Sequence, residues 1–148
     1  MKVEAASPAA REEWLPLRAM LWPEASNDEH RGDIERMLRN PVRFAAFLVR
    51  ENGATIGFAE ASIRSDYVNG CSTSPVVFLE GIFVLPEHRR KGAARLLCSA
   101  VAAWGKQRNC TEMASDALID NEISHRMHEA LGFEEMERVV FYRKALAP

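Results

Sequence analysis

The spacing of apolar positions near the start of the chain predicts one short strand and then two helices. Residues 2–6 have the length and mixed character of a brief strand. Trp14, Leu17 and Leu21 then recur at helical spacing, so one face of a helix is apolar. Ser26 is a good N-cap for a second helix, which should end before the next proline.

The middle of the chain reads as extended structure. Phe44–Arg50 is an apolar strand, and the Asn52-Gly53 pair is a strong hairpin signal before the returning strand, residues 55–63. Residues 65–75 are rich in turn-forming residues and predict a loop. Val76–Leu85 is almost continuously apolar, which predicts a central strand buried on both faces.

The last third returns to alternating helices and strands. An amphipathic helix carrying Leu97 and Trp104 follows the buried strand, and residues 110–115 form a further short strand. Residues 121–131 predict a helix that stops at a glycine, and residues 139–143 predict a closing strand. The chain is therefore expected to be a single mixed α/β domain over residues 1–148, without internal repeats.

Composition limits the class of protein. With 148 residues, 47% of them hydrophobic and 27% charged, the chain fits one globular domain. It has no signal-peptide-like or membrane-spanning run, so a cytoplasmic protein with no membrane partner is expected. Its three cysteines are widely spaced without a CxxC pair, which predicts neither disulfides nor a metal site.

Charge is segregated along the chain. Basic residues predominate from 86 to 108, and this segment would attract a phosphate. Acidic residues predominate from 110 to 137, and that segment would attract a cation. The alternative is that both are solvated helix faces. The basic turn is short and has no aromatic platform beside it, which argues against a nucleic-acid partner.

The junction between the buried strand and the next helix is the most informative segment. A helix N-terminus presents unpaired amides to an anion, and the small residues at 92–94 would let a phosphate approach the backbone. The cations at 89–91 add positive charge. Neither a Walker lysine-serine pair nor GxGxxG is present, which disfavours nucleoside triphosphate and dinucleotide folds.

Two motifs here resemble the GNAT superfamily of acetyltransferases. Arg89, Gly92 and Ala94 match its acyl-CoA turn, R/Q-x-x-G-x-G/A, and the stretch from Asn121 to Leu131-Gly132-Phe133 is similar to its second signature. The resemblance implies acetyl-CoA as co-substrate and no metal. It also implies a mixed α/β (α+β) GNAT fold with a central, mostly antiparallel twisted sheet of six to seven strands, flanked by about four helices.

The same resemblance assigns the cofactor contacts. Backbone groups of one strand would bind pantetheine, amides of the turn would bind the pyrophosphate, and an asparagine would contact the cofactor arm. These cofactor-binding residues are Ile82, Phe83, Val84, Arg89, Arg90, Lys91, Gly92, Ala93, Ala94 and Asn121.

Within the superfamily the chain resembles the bacterial aminoglycoside 6′-N-acetyltransferases, over segments at 21–23, 62–71, 75–86, 112–116 and 137–144. This implies acetylation of the 6′-amine of an aminoglycoside, antibiotic resistance and a homodimer. Flat aromatic faces and carboxylates suit a sugar carrying ammonium groups. The substrate-binding residues would be Trp22, Asp66, Tyr67, Glu80, Asp116 and Glu137.

Two carboxylates are candidates for removing a proton from the acceptor amine. Glu80 interrupts an apolar strand, on the face expected to carry Phe78, Ile82 and Val84, where a carboxylate is costly without a partner or a function. The alternative is that an amide or an arginine satisfies it. Asp116 follows the next strand, where the resemblance places a substrate-amine contact, and the alternative is a helix cap.

His128 is the third catalytic candidate. Many superfamily members have a tyrosine at this position that protonates the leaving thiolate, and a histidine is able to do the same. The alternative is a packed helix residue with water as the acid. Two rival functions also stay open: acetylation of another amine, and a non-catalytic acyl-CoA-binding regulator.

Overall fold

Five strands form one sheet in the order in which they occur along the chain, and four helices accompany it. The computed structural model describes all residues, 1–148. The elements are β1 (Lys2–Ala5), α1 (Arg11–Leu21), α2 (Asn27–Arg39), β2 (Phe44–Glu51), β3 (Ala54–Arg64), β4 (Val76–Val84), α3 (Ala93–Gln107), β5 (Met113–Ser115) and α4 (Glu122–Ala130).

Local sequence signals explain several element boundaries. Asn52 and Gly53 both have positive φ, 51° and 81°, as a two-residue hairpin turn requires, so the predicted hairpin is confirmed. The Ser26 hydroxyl accepts a hydrogen bond from the Glu29 amide at 3.1 Å, which confirms the predicted cap of α2.

The two faces of the sheet carry separate cores. On one face, α3 packs Leu97 and Val101 against a cluster that includes Leu79 and Val84. On the other face, α1 and α2 bury Trp14 and other apolar side chains against β2 and β3. The sheet is thus covered by helices on both faces.

A β-bulge interrupts β4 in its middle. Glu60 pairs with Gly81 and Ala61 pairs with Leu79, which leaves Glu80 as an extra residue. Before the bulge, Leu79 belongs to the α3 core, whereas after it Val84 does. The side-chain alternation therefore shifts by one residue at the bulge.

This shift corrects one prediction from the sequence. Glu80 was expected to share a face with Phe78, Ile82 and Val84. Ile82 and Val84 face α3, whereas Glu80 opens into a cavity on the α1–α2 face. Strict alternation is wrong for Ile82 and Val84, because the bulge adds one residue to the strand, whereas Phe78 and Glu80 both contact Arg64 on one face.

The prediction that β4 is central and buried on both faces is correct only for its first half. Strand β5 is parallel to β4 and pairs with it only from Val77 to Leu79. Beyond Leu79 the far edge of β4 has no neighbouring strand, and the residues from Glu80 to Phe83 are partly exposed. The second half of β4 is therefore an open edge.

The predicted closing strand at residues 139–143 is wrong. No helix or strand follows α4, so the sheet has five strands in a mixed arrangement, with three antiparallel pairs and one parallel pair, instead of six to seven. A strand needs a partner, and this segment finds none within its own chain; Phe141 and Tyr142 are 86% and 91% exposed.

None of the four helices combines the length and the hydropathy that a bilayer crossing requires.

Candidate active site

The turn between β4 and α3 forms a cradle of free amides. Arg90 and Gly92 have left-handed backbone conformations, with φ of 63° and 94°. The amides of residues 90–94 donate to no backbone or side-chain acceptor in the protein, and they precede the 15-residue helix α3. Left-handed residues in such a turn direct successive N–H groups toward one concave point, where an anion binds.

Arg89 has a different role from its neighbours in this cradle. Its Nε donates to the carbonyl oxygen of Val84 at 2.7 Å, and its guanidinium lies 5.4 Å from the centroid of the Phe83 ring. The Arg89 side chain thus links the turn to the end of β4. Arg90 and Lys91 are exposed and supply the free positive charge.

The open edge of β4 leads directly to the cradle. The Leu85 amide donates to the Ile56 carbonyl of β3 at 2.8 Å. Because alternate residues of a strand point their backbone groups to the same side, those of Phe83 also face β3, whereas those of Ile82 and Val84 face the open edge. Of the three strand residues predicted from the sequence, Ile82 and Val84 therefore have backbone groups on the open edge, where the Val84 carbonyl oxygen already accepts from Arg89 Nε.

A cavity of about 1020 Å³ opens on the opposite face of β4, between α1, α2 and the loop at 65–75. Four of the predicted substrate residues line it: Trp22, Asp66, Tyr67 and Glu80. The structure thus brings these four residues, distant along the chain, to one cavity.

The Trp22 indole sits directly on the backbone of the bulge. A Cβ built on Gly81 would lie 2.5 Å from the indole, so only glycine allows this contact. The indole also meets the Phe58 ring edge-on, with centroids 6.0 Å apart. The ring is half-buried, with one part in the core and one part in the cavity.

Glu80 is held by two neighbours on the cavity wall. It accepts hydrogen bonds from the Ser62 hydroxyl at 2.6 Å and from Arg64 Nη2 at 2.9 Å. The Arg64 guanidinium is itself stacked on Phe78, 3.4 Å from the ring centroid. The alternative that an arginine satisfies this carboxylate therefore agrees with the structure, although the group remains open to the cavity.

The residue that caps α4 is Asn121, for which the sequence predicted a cofactor contact, and not Asp116. Asp116 is exposed and directly follows Ser115, the last residue of β5 that pairs with β4. Asn121 caps α4, since its side-chain oxygen accepts from the Ser124 amide at 3.2 Å. The cap alternative for Asp116 is therefore wrong, and the Asn121 side chain is already engaged.

His128 connects α4 to β5. Its Nε2 lies 2.7 Å from Ser115 Oγ and its Nδ1 lies 2.7 Å from the Ser124 carbonyl oxygen. Ser115 Oγ in turn donates to the Leu79 carbonyl oxygen at 3.2 Å. With the hydroxyl proton of Ser115 directed to Leu79, Ser115 Oγ accepts from His128 Nε2, while the Ser124 hydroxyl oxygen lies 3.3 Å from Nδ1.

Glu137 does not line the cavity. It lies in the exposed segment after α4, and the preceding residue, Met136, packs against Gly70 in the loop at 65–75. This contact brings the tail to the loop that carries Asp66 and Tyr67. The predicted substrate contact of Glu137 is not formed within one chain.

That loop is fixed by one carboxylate. Glu112 accepts hydrogen bonds from the Thr73 hydroxyl and from the amides of Ser72 and Thr73, at 2.9 and 2.8 Å for the amides. These bonds stabilise the ionised form and lower the pKa of Glu112 below its ordinary value, the Thr73 hydroxyl contributing most.

Sequence reasoning missed a buried polar cluster beside the cavity, formed by Arg18, Glu60 and His30. Burial raises the pKa of Glu60, and the Arg18 guanidinium and the Trp14 N–H oppose that rise. One signal was present: a glutamate inside an apolar strand and an arginine on the apolar side of a helix are costly unless they pair.

Comparison with known proteins agrees with this geometry. The model of the acetyltransferase (GNAT) family matches residues 8–133. The aminoglycoside N(6′)-acetyltransferase type 1 of Salmonella enteritidis is 55% identical over 133 residues, which cover 90% of this chain and 91% of that protein. The enzyme of the same name from Acinetobacter baumannii is 48% identical over 144 residues, covering 97% and 98%.

Solved structures give the same result. AAC(6′)-Iy in complex with the bisubstrate analog CoA-S-monomethyl-acetylneamine superposes with a TM-score of 0.94 at 50% identity, covering 98% of each chain. The apo 6′-N-acetyltransferase AAC(6′)-IG from Acinetobacter haemolyticus gives 0.96 at 46% identity, covering 99% of this chain and all of that one. The chain therefore belongs to the GNAT family of acetyltransferases.

Proposed function

We propose that this protein transfers the acetyl group of acetyl-CoA to the 6′-amine of aminoglycoside antibiotics and so confers resistance to them. The observation that carries the proposal is the position of the β4 bulge. It separates an open strand edge that ends in an amide cradle from a cavity that contains a carboxylate and an indole. The names of the relatives supply the acceptor class.

The cradle fits the pyrophosphate of coenzyme A. Its amides at residues 90–94 are free, and Arg90 and Lys91 add charge without filling it. The backbone groups of Ile82 and the amide of Val84, whose carbonyl oxygen is bound by Arg89, fit the amides of the pantetheine arm, as in the addition of a strand to an open edge. Phe83 contributes to coenzyme A binding indirectly, because its ring packs against Arg89 of the turn. Asn121 contributes indirectly as well, because its side chain caps the start of α4.

The cavity fits a cationic sugar. Trp22 and Tyr67 present flat apolar surfaces to a ring, and Asp66 and Glu80 on the cavity wall attract its ammonium groups. Asp116, which does not line the cavity, adds an exposed carboxylate at the end of β5. An ammonium that approaches Glu80 meets Arg64 already on that carboxylate. Binding at Glu80 therefore requires Arg64 to share or leave it, which a polycation achieves more readily than a single amine.

Asp116 is the less engaged of the two carboxylates, so we assign to it the proton of the acceptor amine. An amine must lose a proton before it attacks, which costs roughly 1.4 to 4 kcal/mol at neutral pH for ordinary aliphatic amines. Glu80 is engaged by Ser62 and Arg64, whereas Asp116 is exposed. Glu80 then orients the substrate, and Asp116 takes the proton directly or through water.

His128 supplies the proton that the departing thiolate needs. The charged ring donates from Nε2 to Ser115 Oγ, and the Ser115 hydroxyl passes its own proton to the sulfur. His128 is left neutral with its remaining proton on Nδ1, still bonded to the Ser124 carbonyl. The main-chain amides of the open edge near Ile82 polarise the thioester oxygen.

The enzyme acts as a homodimer in this proposal. The segment after α4 carries Val140, Phe141, Tyr142 and Leu146 almost fully exposed, a concentration of apolar surface that a second copy would cover. Glu137, in the same segment, would then reach the cavity of the partner. Three free cysteines suit the reducing conditions of a cytoplasm.

A steady-state assay with acetyl-CoA tests the proposed function. A kanamycin-type aminoglycoside bearing a 6′-amine should be acetylated, with the acetyl group located at that amine by NMR, and its 6′-hydroxyl analogue should not be. Consumption of acetyl-CoA with polyamines or peptides but with no aminoglycoside would favour another acceptor. If neither class is acetylated although coenzyme A binds, the protein is a non-catalytic acyl-CoA-binding regulator.

A further inference from the structure

A chain of buried polar groups ends on Trp22, and neither the cradle nor the acetyl transfer uses it. Glu60, 3% exposed on β3, accepts from Trp14 Nε1 at 2.8 Å and from Arg18 Nε at 2.6 Å. Arg18 continues the chain through its Nη1, which lies 2.9 Å from His30 Nδ1. The three elements α1, α2 and β3 therefore meet at these side chains.

Two members of the chain contact Trp22 directly. His30 Nε2 lies 3.1 Å from the Trp22 carbonyl oxygen, and the Arg18 guanidinium carbon lies 4.8 Å from the centroid of the indole. Trp22 follows the last turn of α1 and has left the helical conformation, with φ of −124° and ψ of 72°. Its amide still donates to the Arg18 carbonyl oxygen at 2.8 Å, whereas its carbonyl oxygen and its ring are held by His30 and by the Arg18 guanidinium.

The hydrogen positions in this chain follow from the partners. A guanidinium only donates, so His30 Nδ1 is an acceptor, and a carbonyl only accepts, so His30 Nε2 carries the proton. An imidazolium would place an N–H against the N–H of Arg18. Asp33 also accepts from Arg18 Nη1, at 3.3 Å, and makes no hydrogen bond to the His30 ring. His30 is therefore the neutral Nε2–H tautomer.

We propose that Arg18, His30 and Glu60 are positioning residues that fix the Trp22 indole as the stacking surface of the acceptor cavity before substrate arrives. The inference rests on the proposed function, because it assigns Trp22 to the acceptor. A buried ion pair is a weak source of stability, since apolar side chains of equal volume stabilise a core as well or better. An aromatic ring held in its binding position loses less conformational freedom when a sugar stacks on it.

Substitutions at His30 test the positioning role. His30→Leu removes both hydrogen bonds of the ring, whereas His30→Gln retains one acceptor and one donor. With His30→Leu we expect the KM for a 6′-amino aminoglycoside to rise about tenfold, while kcat and the KM for acetyl-CoA stay within about twofold. His30→Gln should recover the aminoglycoside KM to within about threefold of the wild type.

A spectroscopic signal reports on Trp22 without turnover. In protein labelled with 5-fluorotryptophan, the ¹⁹F resonance of Trp22, assigned with Trp22→Phe, should shift and broaden in His30→Leu and return in His30→Gln. Ile34→Val is the matched control. Ile34 is buried on the same helix but outside the chain of polar groups, so its loss of volume should lower Tm and leave the resonance and both KM values unchanged.

The outcomes separate this inference from the proposed function. If the wild-type protein acetylates no aminoglycoside, the proposed function is wrong. An unmoved Trp22 resonance in His30→Leu, with Tm lowered as in Ile34→Val, would show that the polar chain serves only the fold. The wild type gives a second test: ¹⁵N shifts of the His30 ring must show the neutral Nε2–H tautomer, and an imidazolium or an Nδ1–H tautomer would overturn the inference.

Discussion

At the scale of single residues, the site depends on one glycine and one exposed carboxylate. Gly81 has no side chain, and the Trp22 indole uses the space that a Cβ would take. Asp116 lies one residue beyond the last pair between β5 and β4, with no helix to cap. The bulge determines the position of Gly81, and the end of β5 determines the position of Asp116.

Replacing Gly81 by alanine should impair acceptor binding selectively. The added Cβ would lie 2.5 Å from the indole, so Trp22 must move. We expect the KM for an aminoglycoside to rise about tenfold, the loss of one aromatic stacking contact, while coenzyme A binding measured by calorimetry is unchanged. Gly32→Ala is the control, because a Cβ at Gly32 meets nothing within 4 Å. An equal rise in the aminoglycoside KM with both substitutions would contradict the proposed contact between Trp22 and Gly81.

Replacing Asp116 by asparagine should slow the chemical step. Asparagine keeps the shape of the side chain but cannot take a proton, so kcat should fall about 10²-fold with little change in the KM for acetyl-CoA. Asp120→Asn, a change of another exposed carboxylate in the same loop, should keep kcat within about twofold. If Asp116→Asn retains full kcat, water or another group removes the proton.

At the scale of elements, the sequence predicted what local residues determine. The turn at Asn52-Gly53 and the cap at Ser26 need only neighbouring residues, and both are confirmed. The bulge at Glu80 depends on how β3 pairs with β4, which strict alternation does not reveal. The Arg18–Glu60 ion pair joins residues 42 positions apart, so the sequence showed two costly residues but not that they meet.

The loop between β3 and β4 should be released from β5 in acid. The bonds from Thr73 and Ser72 lower the pKa of Glu112 in the folded protein. The attachment is therefore complete above the ordinary glutamate pKa of about 4.3 and is lost as the pH falls through the lower, folded value. The amide ¹H shifts of Ser72 and Thr73 should follow the titration of the Glu112 carboxyl carbon by NMR.

Glu112→Gln is the control for this titration, since its amide oxygen still accepts but does not ionise. In that variant the two amide shifts should not depend on pH over the same range. A Glu112 carboxyl group that titrates at or above the ordinary value would contradict the role of these hydrogen bonds.

At the scale of the whole molecule, the cradle and open edge lie to one side of the second half of β4, and the cavity lies on its α1–α2 face. The bulge lets one strand serve both, because it turns Glu80 to the cavity while Ile82 and Val84 keep their backbone groups on the open edge. The tail after α4 is the part that the sequence assigned wrongly, since its apolar residues look like a strand but have no partner in the chain.

A charge placed in the tail should disrupt the proposed dimer. Phe141 is 86% exposed in the single chain, so Phe141→Asp should leave the fold intact and give a monomer by analytical ultracentrifugation. Leu118→Asp, at an exposed apolar residue outside the tail, should remain dimeric. A monomeric wild-type protein at micromolar concentration would contradict the proposal that a second copy covers this segment.

The most direct test of the central claim is a titration of ¹⁵N-labelled protein with coenzyme A, followed by NMR. The account predicts saturable shifts of the amides of Ile82, Val84 and residues 90–94, with much smaller shifts of Gly81 and Phe83, whose backbone groups face β3. Saturation without shifts in the cradle, or no saturation at all, would contradict the account.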